Sequence, residues 1–160
     1  MNKILIVILI LVSSAHSQDD GIEAFKQGDY YQAQVYYEKV IKKKPSNNSA
    51  KFGLGSSMYK QEKLDVATEL WNTVKNSDDP NIASKAFYNL GKVFTDQNKY
   101  EEGIAMYKKA LELNPDDRDT QINYELLKRI IKEQDQQDQE QQDQEQQDQE
   151  QQDQEQQDQE

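Results

Sequence analysis

SKAFYNLGKVFTDQNKYEEGIAMYKKALELNPDD, residues 84–117, decides the fold. Its landmarks are Phe87, Leu90, Gly91 and Phe94, then a polar turn at Asp96-Gln97-Asn98-Lys99, then Tyr100, Gly103, Tyr107, Ala110 and Pro115. The same landmarks recur upstream. Leu54-Gly55 answers Leu90-Gly91, and Gly21 precedes Gly55 by 34 residues. Lys26-Gln27-Gly28-Asp29-Tyr30, Lys60-Gln61-Glu62-Lys63-Leu64 and Asp96-Gln97-Asn98-Lys99-Tyr100 align as three turns. Ala33, Ala67 and Gly103 follow them, then the large residues Tyr37, Trp71 and Tyr107, then Val40, Val74 and Ala110. Pro45, Pro80 and Pro115 close the units. The step from Gly55 to Gly91 is 36 residues, the two extra falling in the Asn76–Ile82 connection.

Three copies of one helical-hairpin pattern in register resemble the tetratricopeptide repeat, and the resemblance covers nearly the whole body of the chain. It implies an all-α solenoid of antiparallel helix pairs over residues 18–132, with repeats at about 18–47, 48–83 and 84–117. Each landmark has a physical reason. Small residues let paired helices approach closely, and Tyr37, Trp71 and Tyr107 are expected to fill the space between one hairpin and the next. Asp79 before Pro80 reads as an N-cap with Pro at the first helical position. Gly103 departs from the usual Ala, at a helix-propensity cost of about 1 kcal/mol. A lone hairpin cannot bury its apolar face, so the array needs a cap. Residues 118–132 supply it, with Ile122, Leu126, Ile130 and Tyr124, Leu127, Ile131 at helical spacing and Tyr124-Glu125 in place of Leu-Gly. Asp20 sits where the first helix wants an apolar residue.

The ends of the chain differ in kind from this body. Met1-Asn2-Lys3, the nine Ile, Leu and Val residues of Ile4 to Val12, and the small residues Ala15 and Ser17 read as a secretory signal peptide over 1–17. The apolar run is well short of the roughly 20 residues a spanning helix needs; if the leader were retained, it would be the only membrane attachment. Residues 133–160 hold twelve acids and no base, ending in five copies of Gln-Gln-Asp-Gln-Glu. With nothing to bury, this tail is expected to be disordered or only transiently helical. A five-residue period rotates successive acids by about 140° on a helix, so no coiled-coil stripe forms. The tail reads as a solvated spacer or as a polyanionic contact arm that could also hold divalent ions weakly.

Composition narrows the function. The formal charge of -11 belongs to the tail, leaving 18 acids against 19 bases in residues 1–132. A balanced body has no basic excess to neutralise phosphates, which argues against nucleic acid as a partner. There is no Cys, and the single His, His16, falls in the leader. Thiolate metal sites, disulfides and most acid–base catalysis are thereby excluded, and no cofactor or metal site is expected. The chain has neither a phosphate-cradling glycine loop nor a nucleophile elbow, and Asp78-Asp79 and Asp116-Asp117 fall at turns where capping accounts for them. A non-catalytic binding protein is the reading that remains.

First helices of such repeats line a concave groove that binds peptides. The residues expected to face it are Phe52, Ser56, Tyr59, Lys85, Tyr88, Asn89, Lys92 and Asn123, with Leu126 at the margin. Lys85, Asn89 and Lys92 are suited to grip a carboxylate or a peptide backbone; the competing reading is packing for the aromatics and solvation for the lysines. The lysine and asparagine clamp of chaperone-binding repeats is spread over three units, and the early units here lack that pair.

The order of leader, repeats, a terminal helix running from Asn114-Pro115-Asp116-Asp117 to Tyr124-Glu125-Leu126-Leu127-Lys128, and a Gln-rich acidic tail is similar to the small repeat component of the Bat aerotolerance family. That resemblance implies an exported, periplasmic or envelope-associated adaptor beside membrane proteins with von Willebrand A-type domains. Two other readings stand beside it: a general periplasmic adaptor in envelope assembly, and a secreted polyanion that acts through its tail.

Overall fold

The computed structural model describes residues 20–157, with side chains through residue 146. The expected signal peptide, residues 1–17, lies outside them. Among the described residues there is no strand. The helices are α1 (Asp20–Lys26), α2 (Tyr30–Lys43), α3 (Asn48–Lys60), α4 (Leu64–Val74), α5 (Pro80–Asp96), α6 (Tyr100–Leu113) and α7 (Arg118–Gln157). Each packs on the next along the chain, forming the hairpins α1–α2, α3–α4 and α5–α6. The first helices also touch, α1 on α3 and α3 on α5, whereas no appreciable contact joins α2 to α4 or α4 to α6. Helices that meet on one side and diverge on the other make a curved array, with the first helices on its inner face.

All three hairpins turn by the same device. Gly28, Glu62 and Asn98 have φ of 83°, 63° and 58°, the left-handed conformation that closes a helix. The following residue returns to the helix in every case: Asp29 N–H donates to Ala24 C=O at 2.9 Å, Lys63 to Met58 at 3.0 Å and Lys99 to Phe94 at 2.9 Å. Helix starts are equally explicit. Asp29, Asn47, Asp79 and Asp117 accept from the backbone N–H of Gln32, Ala50, Asn81 and Thr120 at 2.9 to 3.1 Å. Asp79 and Asp117 are therefore caps, as expected from sequence, with Pro80 opening α5.

The core is built by rings lying where a Cβ is missing. Trp71 is 1% exposed and lies against Gly55, where an added Cβ would come within 2.7 Å of the indole nitrogen. Tyr107, also 1% exposed, lies against Gly91 at 2.6 Å by the same measure. These rings thus sit within their own hairpins, although Trp71 also belongs to a cluster with Leu54, Met58, Ala67 and Val74 that extends to Ala86, Leu90 and Val93 of the next unit. Tyr37 crosses as expected, its ring covering Gly53 of α3, and Trp71 reaches the next unit through that cluster, while Tyr36 covers Gly21. The departure at Gly103 also has a cause: a Cβ there would meet Leu127 at 2.8 Å, so glycine lets α7 settle on α6.

α7 follows α5 by 34 residues, and buried Ala86 and Val93 correspond to buried Thr120 and Leu127. Phe87 and Gly91, which α5 turns toward its partner α6, correspond to exposed Gln121 and Glu125. With that face polar, the array stops. Only part of the expected apolar set of this helix is inside, since Leu127 is 1% exposed but Ile122 and Leu126 are 57% and 43% exposed. The tail was expected to be disordered or only transiently helical; in the structure α7 continues as helix through Gln157. Gln and Glu are good helix formers, no Gly or Pro interrupts them, and propagation from a packed first turn costs little. Residues 133–146 are all exposed, so nothing is buried by this extension.

Of the three left-handed turn residues, Glu62 bears the largest side-chain penalty. Glu62→Gly is expected to raise stability by roughly 1 kcal/mol, measured by chemical denaturation; Asn98→Gly should gain less, because Asn tolerates this conformation.

Candidate functional site

The inner face carries a cavity of about 440 Å³ at the junction of α1, α3 and α5. Its apolar walls are Ile22 and Phe25 of α1, Tyr37 of α2, Phe52 of α3 and Ile82 of α5. Lys26, Ser49, Ser56, Asp79, Asn81 and Lys85 complete the lining. The floor at Gly53 exists because no Cβ competes with the Tyr37 ring. Asp79 is occupied as the cap of α5, which leaves Lys26 and Lys85 as the cations at this end. The Ser56 hydroxyl donates to Phe52 C=O at 3.0 Å and so is turned onto its own helix.

Further along the groove the surface becomes polar and then acidic. Tyr59 donates to Asp96 Oδ2 at 3.1 Å, and the Lys92 ammonium lies 5.5 Å from the centre of the Tyr59 ring. Tyr88 accepts from Asn123 Nδ2 at 3.4 Å, and its ring packs 5.8 Å from that of Tyr107. Asp119 and Asp117 lie close enough to Tyr88 to disfavour its phenolate. By the correspondence of α7 with α5, exposed Ile122 and Leu126 occupy the places of Tyr88 and Lys92 and extend the groove. The groove is thus apolar at both ends, cationic toward α1 and anionic toward α7.

Of the residues expected from sequence, Phe52, Ser56 and Lys85 meet in the cavity. Tyr59 with Lys92, and Tyr88 with Asn123, form two neighbouring pairs. Asn89 is half-buried on α5 and is not a wall of the cavity. Ile22, Phe25, Lys26, Tyr37, Gly53 and Ile82 were not anticipated as lining residues. A signal was present for some: Ile22, Phe25 and Lys26 share one helical face, and Gly53 is a mid-helix glycine outside the repeat register.

Two family models described as tetratricopeptide repeat match the chain, over residues 19–80 and 84–117. The chain is a tetratricopeptide repeat protein. Among solved structures it is similar to the first repeat domain of Spaghetti (RPAP3) bound to the HSP90 peptide SRMEEVD, with a TM-score of 0.64, 23% identity and coverage of 72% of this chain and 90% of that one. The Sgt2 repeat domain from Aspergillus fumigatus gives a TM-score of 0.66 at 21% identity, covering 78% of this chain and 82% of that one. Protein STIP1 homolog of Dictyostelium discoideum is 24% identical over 132 residues, which is 79% of this chain. The chain spans only 23% of that relative's length.

Burial raises the phenol pKa of Tyr37, Tyr59 and Tyr88, and pushes that of Tyr107 up to about 12. The unfolded chain loses these protons near pH 10 while the folded one keeps them. In that window the unfolded state binds fewer protons, so stability is full below about pH 10 and falls as pH rises toward the folded values. Melting temperature followed from about pH 8 to about pH 12 should decline above about pH 10, and less steeply in Tyr107→Phe.

Proposed function

We propose that this protein is a non-catalytic scaffold whose groove takes an extended segment of a protein partner, an apolar side chain entering the cavity between α1, α3 and α5 and an acidic group meeting Lys26 and Lys85. The observation that carries this reading is the cavity itself, a preformed apolar site with cations at its edge on the inner face of a repeat array. The HSP90 peptide SRMEEVD held by a structural neighbour combines the same two chemistries, which supports the reading for this chain. The proposal extends to location and partner. The leader sequence supports export to the envelope, and the resemblance to the Bat family supports von Willebrand A-type membrane proteins as partners, in a complex linked to stress tolerance.

The test is fluorescence anisotropy with labelled peptides that pair Met, Val or Leu with two or three acids, SRMEEVD among them. Phe52→Ala and Lys85→Glu are each expected to weaken binding by about tenfold, equivalent to about 1.4 kcal/mol, with helical circular dichroism unchanged. Equal affinity in parent and both variants would show that the segment binds elsewhere.

A further inference from the structure

The chain holds two blocks of opposite charge that the groove does not use. From Lys39 to Gln61 there are six lysines and no acid; from Glu133 to Glu160 there are twelve acids and no base. Because residues 1–132 as a whole are close to balance, with 18 acids against 19 bases, the lysine block is a local field and not part of a bulk excess. The basic block has a shaped centre. Lys39, Lys43 and Lys44 line a cavity of about 320 Å³ at the start of α1 and the end of α2, with Tyr36, Val40 and Asn47 as further walls. The three ammonium groups form no ion pair among the described residues. Among the described residues they outweigh the one carboxylate in the lining, Asp20, together with the roughly half negative charge at the C-terminal end of α2.

The acids lie at the opposite end of the array. α7 packs on α6, and the helix runs on from there without a break through Gln157. A continuous helix cannot fold back across the hairpins to α2, so the tail cannot reach the lysines of its own chain. Its residues 133–146 are exposed on every side and engage no part of the body. With the acids distributed around the helix, the tail presents charge to a contact from any direction. We propose that the lysine-lined cavity between α1 and α2 is a docking site for the acidic Gln-Gln-Asp-Gln-Glu tail of a second copy of this chain. The contact is heterologous, head to tail, so it generates open chains of variable length, or rings where the rotation closes. Being electrostatic and exposed, it belongs to low ionic strength, where the screening length is about 30 Å at 0.01 M and not about 8 Å.

Sedimentation velocity of the full chain tests this. At about 0.01 M salt the protein should form a concentration-dependent series of oligomers that returns to monomer at about 0.5 M. The Lys39→Gln, Lys43→Gln, Lys44→Gln triple variant should associate at least about tenfold more weakly, with unchanged circular dichroism. A synthetic peptide of five Gln-Gln-Asp-Gln-Glu copies should reverse the assembly, and one of five Gln-Gln-Asn-Gln-Gln copies should not. A second variant with the tail acids replaced by their amides leaves every body residue in place and should be monomeric. The proposal is overturned by a monomer at low salt, by association that the lysine variant retains, or by a cavity that binds vesicles of phosphatidylserine and phosphatidylcholine through its lysines while ignoring the acidic peptide.

Discussion

A ring lying against a glycine is the contact on which this structure depends. Gly21 under Tyr36, Gly53 under Tyr37, Gly55 under Trp71 and Gly91 under Tyr107 each bring two helices closer than any side chain would allow. Glycine within a helix costs about 1 kcal/mol against alanine in propensity, and the array accepts this cost repeatedly. What it gains is the burial of a large aromatic surface in a body of modest size. Glycine also sets the last junction, where Gly103 admits Leu127 and α7 comes to rest.

Those contacts also shape the groove. Because the rings fill the space between helices, the first helices close up on the inner side, and a cavity remains where α1, α3 and α5 converge. Tyr37 has two duties, closing the joint between the first and second hairpins and walling the cavity. Packing and site are therefore one arrangement at Gly53. Farther along, the exposed carboxylates of Asp96 and Asp119 beside the half-buried phenols of Tyr59 and Tyr88 give the groove an acidic end.

The repeat register was legible in the sequence because small and large residues recur at fixed distances, and the caps were legible because Asp79-Pro80 has few other readings. The turns were visible as an alignment, but their left-handed residue was not, since Gly28, Glu62 and Asn98 share a backbone conformation and no side-chain chemistry. A repeat pattern states which residue is large without stating where its side chain turns: Trp71 joins its own hairpin to the next as expected, whereas Tyr107 lies against Gly91 within its own hairpin. For the tail the sequence left disorder and transient helix side by side: the lack of a core says that no tertiary contact will hold a segment, but Gln and Glu also sustain a helix already started. At the site, repeat positions were enough to place Phe52, Ser56 and Lys85 together on the inner sides of α3 and α5. The α1 wall and Tyr37 were not, because they enter the cavity from a helix start that departs from the pattern and from a second helix.

A double-mutant cycle at Gly53 and Tyr37 addresses the ring-on-glycine contact where fold and groove meet. In the parent, Gly53→Ala should destabilise, because the added methyl collides with the Tyr37 ring. In a Tyr37→Ala background the same change should stabilise by about 1 kcal/mol, since only helix propensity remains. That reversal of sign is the expected result of chemical denaturation of the four proteins. An effect of the same sign and size in both backgrounds would mean that the ring does not need the glycine, and the packing scheme would be wrong.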